Sequence, residues 1–182
     1  MTLPFFTIGH SNRSIEEFVE LLAGANIDVV VDVRTVPRSR TNPQFNKDTL
    51  PGSLAPLDVA YEHSAALGGL RGKAKNVPPD VNAFWTNESF HNYADYALSD
   101  QFHTGFEHLL DLGREQRCVI MCSEAVWWRC HRRIIADYLV ANGETVFHIM
   151  GQGRLDPARL TPGAAMQSGG TVVYPAAQCQ DG

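Results

Sequence analysis

The chain has 182 residues, of which 44% are hydrophobic and 19% are charged, and its formal net charge at pH 7 is −5. This composition fits a soluble globular protein, since no apolar run reaches the about 18 residues that a membrane-spanning helix needs. The acidic balance excludes binding of polyanions over the whole surface. Four cysteines without framework spacing, and an N-terminus unlike a secretion signal, predict free thiols and a cytoplasmic location.

The first 34 residues predict a strand, a helix and a second strand. An apolar run ends at Gly9, and the helix begins where Ser14 and Glu17 have the spacing of a capping box. Apolar side chains then recur on one helix face until Gly24, which we expect to end the helix. Residues 28–34 follow as a β-branched run, typical of a strand that is covered on both faces. This order of elements predicts parallel strands.

The rest of the sequence continues this α/β pattern after a segment, residues 35–60, that is rich in Pro, Ser, Asn and Thr. We expect a functional loop there, because long structureless segments are uncommon in compact domains. Strands are predicted at VAYEHS, RCVIMC and TVFHIM, an edge strand at TVVY, and helices at residues 81–98, 100–114 and 127–142. The sequence therefore predicts a layered, Rossmann-like α/β domain with a mainly parallel sheet over residues 1–150. Residues 151–182 form a Gly- and Pro-rich C-terminal extension that packs on this domain or trails from it.

Basic residues are concentrated in one part of the sequence. Seven of them lie between positions 34 and 75 with only three acidic residues, so this segment carries +4 and the remainder of the chain −9. Such a basic island indicates a focused site for an anion, and equally fits a solvated loop. Its members are Arg34, Arg38, Arg40, Lys47, Arg71, Lys73 and Lys75.

Polar side chains follow three of the predicted parallel strands at the point where each strand ends. The carboxyl ends of such strands meet at one edge of the sheet, where helix N-termini add partial positive charge. An anion would be stabilised at that edge. We therefore predict a pocket there, built from His10, Ser11, Asp32, Arg34, Cys122, Glu124, Cys130, His131 and Arg132.

The segments TIGHSNRSIEEF, DVRTVPRSR, LGGLRG and CSEAVWWRCHR occur in this order along the chain. Together they resemble the domain-of-unknown-function family number 488, whose hallmark is a C-x-E-x5-C-H-R motif. In this sequence the motif falls on Cys122, Glu124, Cys130, His131 and Arg132. The resemblance covers about residues 5 to 150 and implies a shared fold and a shared site without naming an activity. At positions 127 and 128 the family more often has small or polar residues, so we expect the two tryptophans here to reshape the pocket mouth.

The favoured hypothesis is acid–base chemistry on a phosphate-bearing or nucleic-acid-related substrate, by hydrolysis or transfer. Glu124 or Asp32 would be the general base or acid, and His10 would assist. The residues expected to bind the ligand are Ser11, Arg34, Arg38, Arg129, His131 and Arg132, with Trp127 as a stacking surface. A non-catalytic module that binds a nucleotide or nucleic acid is the rival hypothesis.

Cysteine chemistry is the remaining group of alternatives. Cys122 follows a strand and faces a helix N-terminus near arginines, an environment that lowers the pKa of a thiol and makes it a nucleophile. Glu124 would oppose this ionisation if it shares the pocket. The alternative is that Cys122 is a small buried strand residue without reactivity. A redox protein that uses Cys122 and Cys130 is a second possibility. A metal site at Cys122, Cys130 and His131 is the weakest, because C-x7-C-H matches no usual zinc spacing. The sequence specifies no cofactor and no oligomeric state.

Overall fold

The computed structural model describes residues 2–176 as an α/β protein in which helices cover both faces of one sheet. The strands are β1 Phe5–Gly9, β2 Val29–Asp32, β3 Ala60–His63, β4 Cys118–Cys122, β5 Val146–Gly151, β6 Arg154–Pro157, β7 Ala165–Met166 and β8 Val172–Val173. The α-helices are α1 Ile15–Gly24, α2 Leu50–Leu54, α3 Glu88–Tyr96, α4 Asp100–Glu115 and α5 Arg132–Ala141. The predicted layered α/β fold is thus confirmed.

The main sheet has six strands in the order β3–β2–β4–β1–β5–β6. Strands β1 to β5 are parallel, as predicted, and β6 turns back to pair antiparallel with β5. Strand β6, which follows the predicted strand TVFHIM, was not predicted from the sequence. The predicted edge strand TVVY contains β8, but it pairs with β7 in a separate two-stranded sheet.

The central strands are covered on both faces, which explains their continuous apolar sequences. Alternate residues point to opposite sides, so Val30 and Met121 pack in one cluster with α1 and α2. Val31 and Ile120 pack in the other cluster, against α3, α4 and α5. With both faces covered, the carboxyl ends of the strands are left as the edge at which loops gather.

Helix α1 begins and ends where the sequence predicts. The Ser14 hydroxyl accepts a hydrogen bond from the Glu17 N–H at 3.1 Å, which satisfies one free donor of the first turn. The Glu17 carboxylate instead pairs with Arg13 at 2.8 Å, so only half of the capping box is formed. The helix ends at Gly24.

Two predicted helices begin later than their sequence patterns indicate. Residues 81–87 form turns, and α3 begins only after Asn87, whose side chain accepts from the Phe90 N–H. Residues 127–129 form a short 3-10 turn, and α5 begins at Arg132. The N-terminal part of the helix predicted at 127–142 is therefore wrong, and Cys130, in extended backbone, precedes α5 instead of lying on it.

The segments that surround this core carry short elements of their own. Residues 35–60 contain α2 and the 3-10 turns Pro43–Phe45 and Ala55–Leu57. Near the end of the described chain, the buried Tyr174 donates from its hydroxyl to Asp137 of α5 at 2.6 Å. Over residues 2–176, none of the helices combines the length and the apolar character needed to cross a membrane.

Candidate functional site

A cavity of about 820 Å³ lies at the carboxyl ends of β1, β2 and β4. The loops that follow these strands form its walls, together with residues 69–70 and the start of α3. Of the residues predicted from the sequence, it is lined by His10, Ser11, Arg34, Arg38, Cys122, Glu124, Arg129, Cys130 and His131. The structure places Asp32, Arg132 and Trp127 outside this lining, and their contacts show why.

The loops after β1 and β4 are held together by a close backbone approach at Gly9. A Cβ atom at this position would lie 1.8 Å from the Glu124 carbonyl oxygen, so only glycine fits. The backbone N–H groups of His10 and Ser11 donate to the carbonyls of Cys122 and Ser123 at 2.9 and 3.0 Å. These bonds continue the strand pairing beyond the sheet and bring two of the predicted segments into one wall.

Arg132 is the largest fully buried side chain, with 1% of its surface exposed. Its guanidinium donates from Nε to Cys122 Sγ at 3.1 Å, from Nη1 to Thr7 Oγ1 at 2.9 Å, and from Nη2 to the Glu124 carbonyl at 2.6 Å. No carboxylate of residues 2–176 forms an ion pair with it. A buried cation is costly without a counter-charge, and the ionisable groups beside this one are thiols.

Cys130 lies immediately before α5 and lines the floor of the cavity. Its Sγ accepts from the Arg132 backbone N–H at 3.4 Å and lies 3.5 Å from His131 Nδ1. Burial raises the pKa of this thiol, but Cys122 and the charge of Arg132 outweigh burial and lower the pKa to about 6. The lowered pKa favours the thiolate form of Cys130, which the N-terminus of α5 and the nearby charge of Arg132 would stabilise.

Cys122 has the opposite character. Burial, followed by the neighbouring Cys130, raises its pKa well above the usual value, and Arg132 only partly opposes this. Its Sγ faces the Glu124 carbonyl at 4.0 Å, which suits a protonated thiol. The pKa of Cys130 is thus lowered while that of Cys122 is raised, and the two thiols titrate as a coupled pair.

The imidazole of His131 is fixed by its Nε2 atom, which donates to the Val33 carbonyl at 2.9 Å. In the neutral ring Nδ1 therefore carries no proton, and it accepts from the Cys130 S–H only while that thiol is protonated. Burial lowers the pKa of the ring. Gly69 passes directly over this ring, because a Cβ atom there would lie 2.5 Å from Nδ1. This contact gives a physical reason for glycine in the LGGLRG segment.

Asp32 and Arg34 form a buried ion pair that uses most of their hydrogen-bonding capacity. The carboxylate accepts from Arg34 Nε at 2.9 Å, from Arg34 Nη2 at 2.7 Å and from the Tyr61 hydroxyl. The guanidinium also donates to the Phe45 carbonyl at 2.6 Å and to His10 Nε2 at 3.2 Å. Asp32 is fully buried, so the pair holds the loop after β2 in place and offers no carboxylate to the cavity.

His10 is locked in its neutral form. Its Nδ1 donates to the Ser11 carbonyl at 2.8 Å, and its ring stacks on Phe45 at a centroid distance of 4.4 Å. Burial, with a smaller contribution from the charge of Arg34, lowers its pKa to about 4. Since Nε2 is occupied by Arg34, the ring has no nitrogen left for proton transfer to a ligand.

The mouth of the cavity carries the charges that remain accessible. Arg38 and Arg129 are exposed and line it, and Arg38 has only a loose, exposed partner in Asp48 at 3.9 Å. The exposed carboxylate of Glu124 accepts from the Val126 N–H at 3.3 Å. Two exposed arginines and one exposed carboxylate therefore line the cavity.

Trp127 packs inward instead of facing the cavity. Its ring stacks on His148 at a centroid distance of 4.6 Å and an interplanar angle of 5°. His148 Nδ1 is in turn 2.6 Å from Thr7 Oγ1, the hydroxyl that accepts from Arg132. Sequence reasoning missed Thr7, although a hydroxyl within an otherwise apolar strand was the signal that could have found it.

The weakest predicted alternative, a metal site at Cys122, Cys130 and His131, has no matching geometry. Within residues 2–176, no group of three or more His, Cys, Asp and Glu side chains is arranged to hold a metal ion. Each of the two thiols contacts Arg132 instead, one through the side chain and one through the backbone.

Comparison with known proteins adds one finding. The sequence profile of the family described as domain of unknown function DUF488 matches residues 14–139. This range contains the C-x-E-x5-C-H-R segment, the buried arginine and both thiols. No curated protein and no solved structure matches the chain.

Proposed function

Because the chain belongs to the DUF488 family, a family of unknown function, we propose from the geometry of its own site that it is a thiolate-dependent enzyme with Cys130 as the nucleophile. The observation that carries this proposal is the buried Arg132, which contacts one thiol through its side chain and another through its backbone N–H. A protein that needed only a filled core would place an apolar side chain there at lower cost. The cation is explained if it stabilises a thiolate that reacts.

The cavity suits a small anionic substrate. Its volume of about 820 Å³ is within the range of small-molecule sites. Arg38 and Arg129 at the mouth would attract a phosphate-bearing molecule, and Ser11, Ser39 and Asn42 add polar groups to the wall. The favoured substrate class therefore stays as it was predicted from the sequence, a phosphate-bearing or nucleic-acid-related compound, while the attacking group changes to a thiolate.

The reaction we propose is hydrolysis or transfer through a covalent adduct on sulfur. The Cys130 thiolate attacks the electrophilic centre, forming a bond to sulfur as the bond to the leaving group breaks. Water or another acceptor then attacks the adduct and releases the thiolate. Glu124, the exposed carboxylate of the cavity wall, is the residue we assign to take the proton from that acceptor. Asp32 and His10 have no part in this scheme, because their polar atoms are already bonded within the protein.

A non-catalytic nucleotide- or nucleic-acid-binding module is the second candidate, and the exposed cations of the basic island favour it. Residues Arg38, Arg40, Lys47, Lys73 and Lys75 are all exposed. Such a module would bind through phosphate contacts that weaken steeply with salt, and it would not need an ionised thiol.

Alkylation by iodoacetamide tests the proposal. At pH 7 we expect rapid modification that peptide mass spectrometry locates at Cys130 and that is lost in Cys130→Ser. The matched control is Cys118→Ala, because Cys118 is buried and burial raises its pKa to about 12. Slow modification, or modification spread equally over the cysteines, would contradict the thiolate on which the proposal rests.

Protection from alkylation tests the substrate class. Nucleoside monophosphates and phosphosugars should slow modification of Cys130, and the double variant Arg38→Ala/Arg129→Ala should lose this protection. Arg114→Ala is the control, since Arg114 is exposed on α4 and pairs with Asp111. Each compound that protects Cys130 is then tested as a substrate. An enzyme is supported if the wild-type protein converts the compound and Glu124→Gln converts it more slowly while still being protected by it. Protection without turnover by the wild-type protein supports the binding module.

A further inference from the structure

We propose that Cys130 and Cys122 also act as a dithiol couple that reduces small hydroperoxides, with Cys130 as the attacking thiol and Cys122 as the resolving thiol. This activity shares the Cys130 thiolate with the proposed function, but it needs neither a phosphate-bearing substrate nor the arginines at the cavity mouth. Cys122, which the proposed function leaves without a chemical role, becomes essential.

Both thiols contact the same residue. Arg132 donates from Nε to Cys122 Sγ at 3.1 Å and from its backbone N–H to Cys130 Sγ at 3.4 Å. Each thiol is also close enough to influence the ionisation of the other. The pKa of Cys130 is lowered and that of Cys122 is raised, and this difference suits a couple in which one thiol attacks and the other resolves.

Both thiols are reached through the cavity, and access to them is narrow. Both line the cavity, but with exposures of 5% for Cys130 and 3% for Cys122 they admit only a small reactant. Cys130 lies beside the start of α5, so a peroxide that reaches it also meets a helix N-terminus. Cys122 is at the end of β4, where its sulfur contacts the Arg132 guanidinium and is almost fully buried, so a neighbouring sulfur is a more accessible reaction partner for it than solvent.

The chemistry balances without a group bound to the protein. The Cys130 thiolate attacks one peroxide oxygen, the O–O bond breaks, and the other oxygen leaves as hydroxide or alkoxide and takes up a proton. The resulting sulfenic acid is attacked by Cys122, which gives up its proton as the disulfide forms and water leaves. The sulfurs have lost two electrons and the peroxide has gained them. Two equivalents of an external thiol, or one dithiol, restore both cysteines by thiol–disulfide exchange.

Cys118 provides an internal comparison. It is fully buried at the start of β4, no arginine contacts its sulfur, and burial raises its pKa to about 12. The same oxidant should therefore leave Cys118 reduced while it oxidises the couple.

The experiment treats the full chain with a slight excess of hydrogen peroxide at pH 7, followed by thiol counting under denaturing conditions and by peptide mass spectrometry. We expect loss of two of the four thiols and a disulfide between Cys122 and Cys130, reversed by dithiothreitol. Cys122→Ser should stop at a sulfenic acid on Cys130 that dimedone traps, and Cys130→Ser should not react. With dithiothreitol as reductant, the wild-type protein should consume peroxide at least about tenfold faster than Cys130→Ser.

Other outcomes overturn the inference. The couple does not exist if the wild-type protein keeps all four thiols or forms its disulfide elsewhere. It also does not exist if oxidation stops at Cys130 while Cys122 stays reduced. These readings use the wild-type protein, so they hold even where a variant fails to fold. If iodoacetamide modifies Cys130 rapidly but peroxide forms no disulfide, the couple fails and the thiolate of the proposed function stands. If Cys130 resists both reagents, both proposals fail.

Discussion

Replacement of Arg132 by methionine removes the buried cation while keeping a side chain of similar length in the core. Burial still opposes ionisation of Cys130, but the positive charge that offset this effect is gone. We therefore expect the pKa of Cys130 to rise from about 6 to near the ordinary value of 9.0. At pH 7 the ionised fraction would fall from about 90% to about 1%. Each remaining thiolate becomes more nucleophilic, by about 16- to 30-fold for a Brønsted coefficient of about 0.4–0.5. The rate at pH 7 therefore falls only about three- to sixfold.

The informative quantity is consequently the midpoint of the pH–rate profile for alkylation of Cys130, because the rate at a single pH hides two opposing effects. We expect the midpoint to move upward by about three pH units in Arg132→Met and the limiting rate at high pH to rise. Arg133→Met is the matched control, since the Arg133 guanidinium contacts Thr161 and the Trp85 ring instead of the thiols. An unchanged midpoint in Arg132→Met, with cooperative thermal unfolding retained, would refute the pairing of this arginine with the thiolate.

Two further predictions concern packing and pH. Gly69→Ala places a Cβ atom 2.5 Å from His131 Nδ1, so urea unfolding should show a loss of about 1–3 kcal/mol, whereas Gly72→Ala, with open space around it, should change little. Equal losses in both variants would contradict the close approach. Burial lowers the pKa of His10 to about 4 and that of His148 to about 3. Below pH 6.5 these two histidines are therefore protonated in the unfolded chain but remain neutral in the folded protein. The free energy of unfolding is therefore not reduced by these histidines above pH 6.5. It should fall by up to about 3 kcal/mol per pH unit between pH 6 and 4. Urea unfolding at stepped pH measures this fall, and a flat profile would refute it.

The central strands β1, β2 and β4 could be predicted from the sequence because they are covered on both faces and are largely apolar. Helix α1 could be predicted from Ser14 and Gly24, which act through local backbone chemistry. The start of α5 could not, because residues 127–129 have a helix-like pattern but form a 3-10 turn beside a contact with the distant His148. This error matters chemically, since a cysteine that precedes a helix can accept from its free N–H groups, whereas one within the helix cannot.

For the candidate site, the sequence predicted which segments meet at the cavity. It did not predict which of their charged side chains are buried in contacts within the protein and which are exposed. The rule that parallel strands gather loops at their carboxyl ends was enough to bring His10, Cys122 and Glu124 to one cavity. The sequence left open whether Arg34 binds a ligand or forms a structural ion pair with Asp32, because arginine is usually exposed. The structure buries both side chains in that pair. Only the packed structure distinguishes these buried guanidinium groups from the exposed arginines at the cavity mouth.

The measurement that tests the central claim most directly is a pH titration of thiolate absorbance in the wild-type protein and in Cys130→Ala. The account predicts one thiol that ionises with a midpoint near pH 6 in the wild-type protein, and no such transition in the variant. If every thiol of the wild-type protein ionises at pH 9 or above, Arg132 is not the counter-charge of a thiolate, and both proposed activities lose their basis.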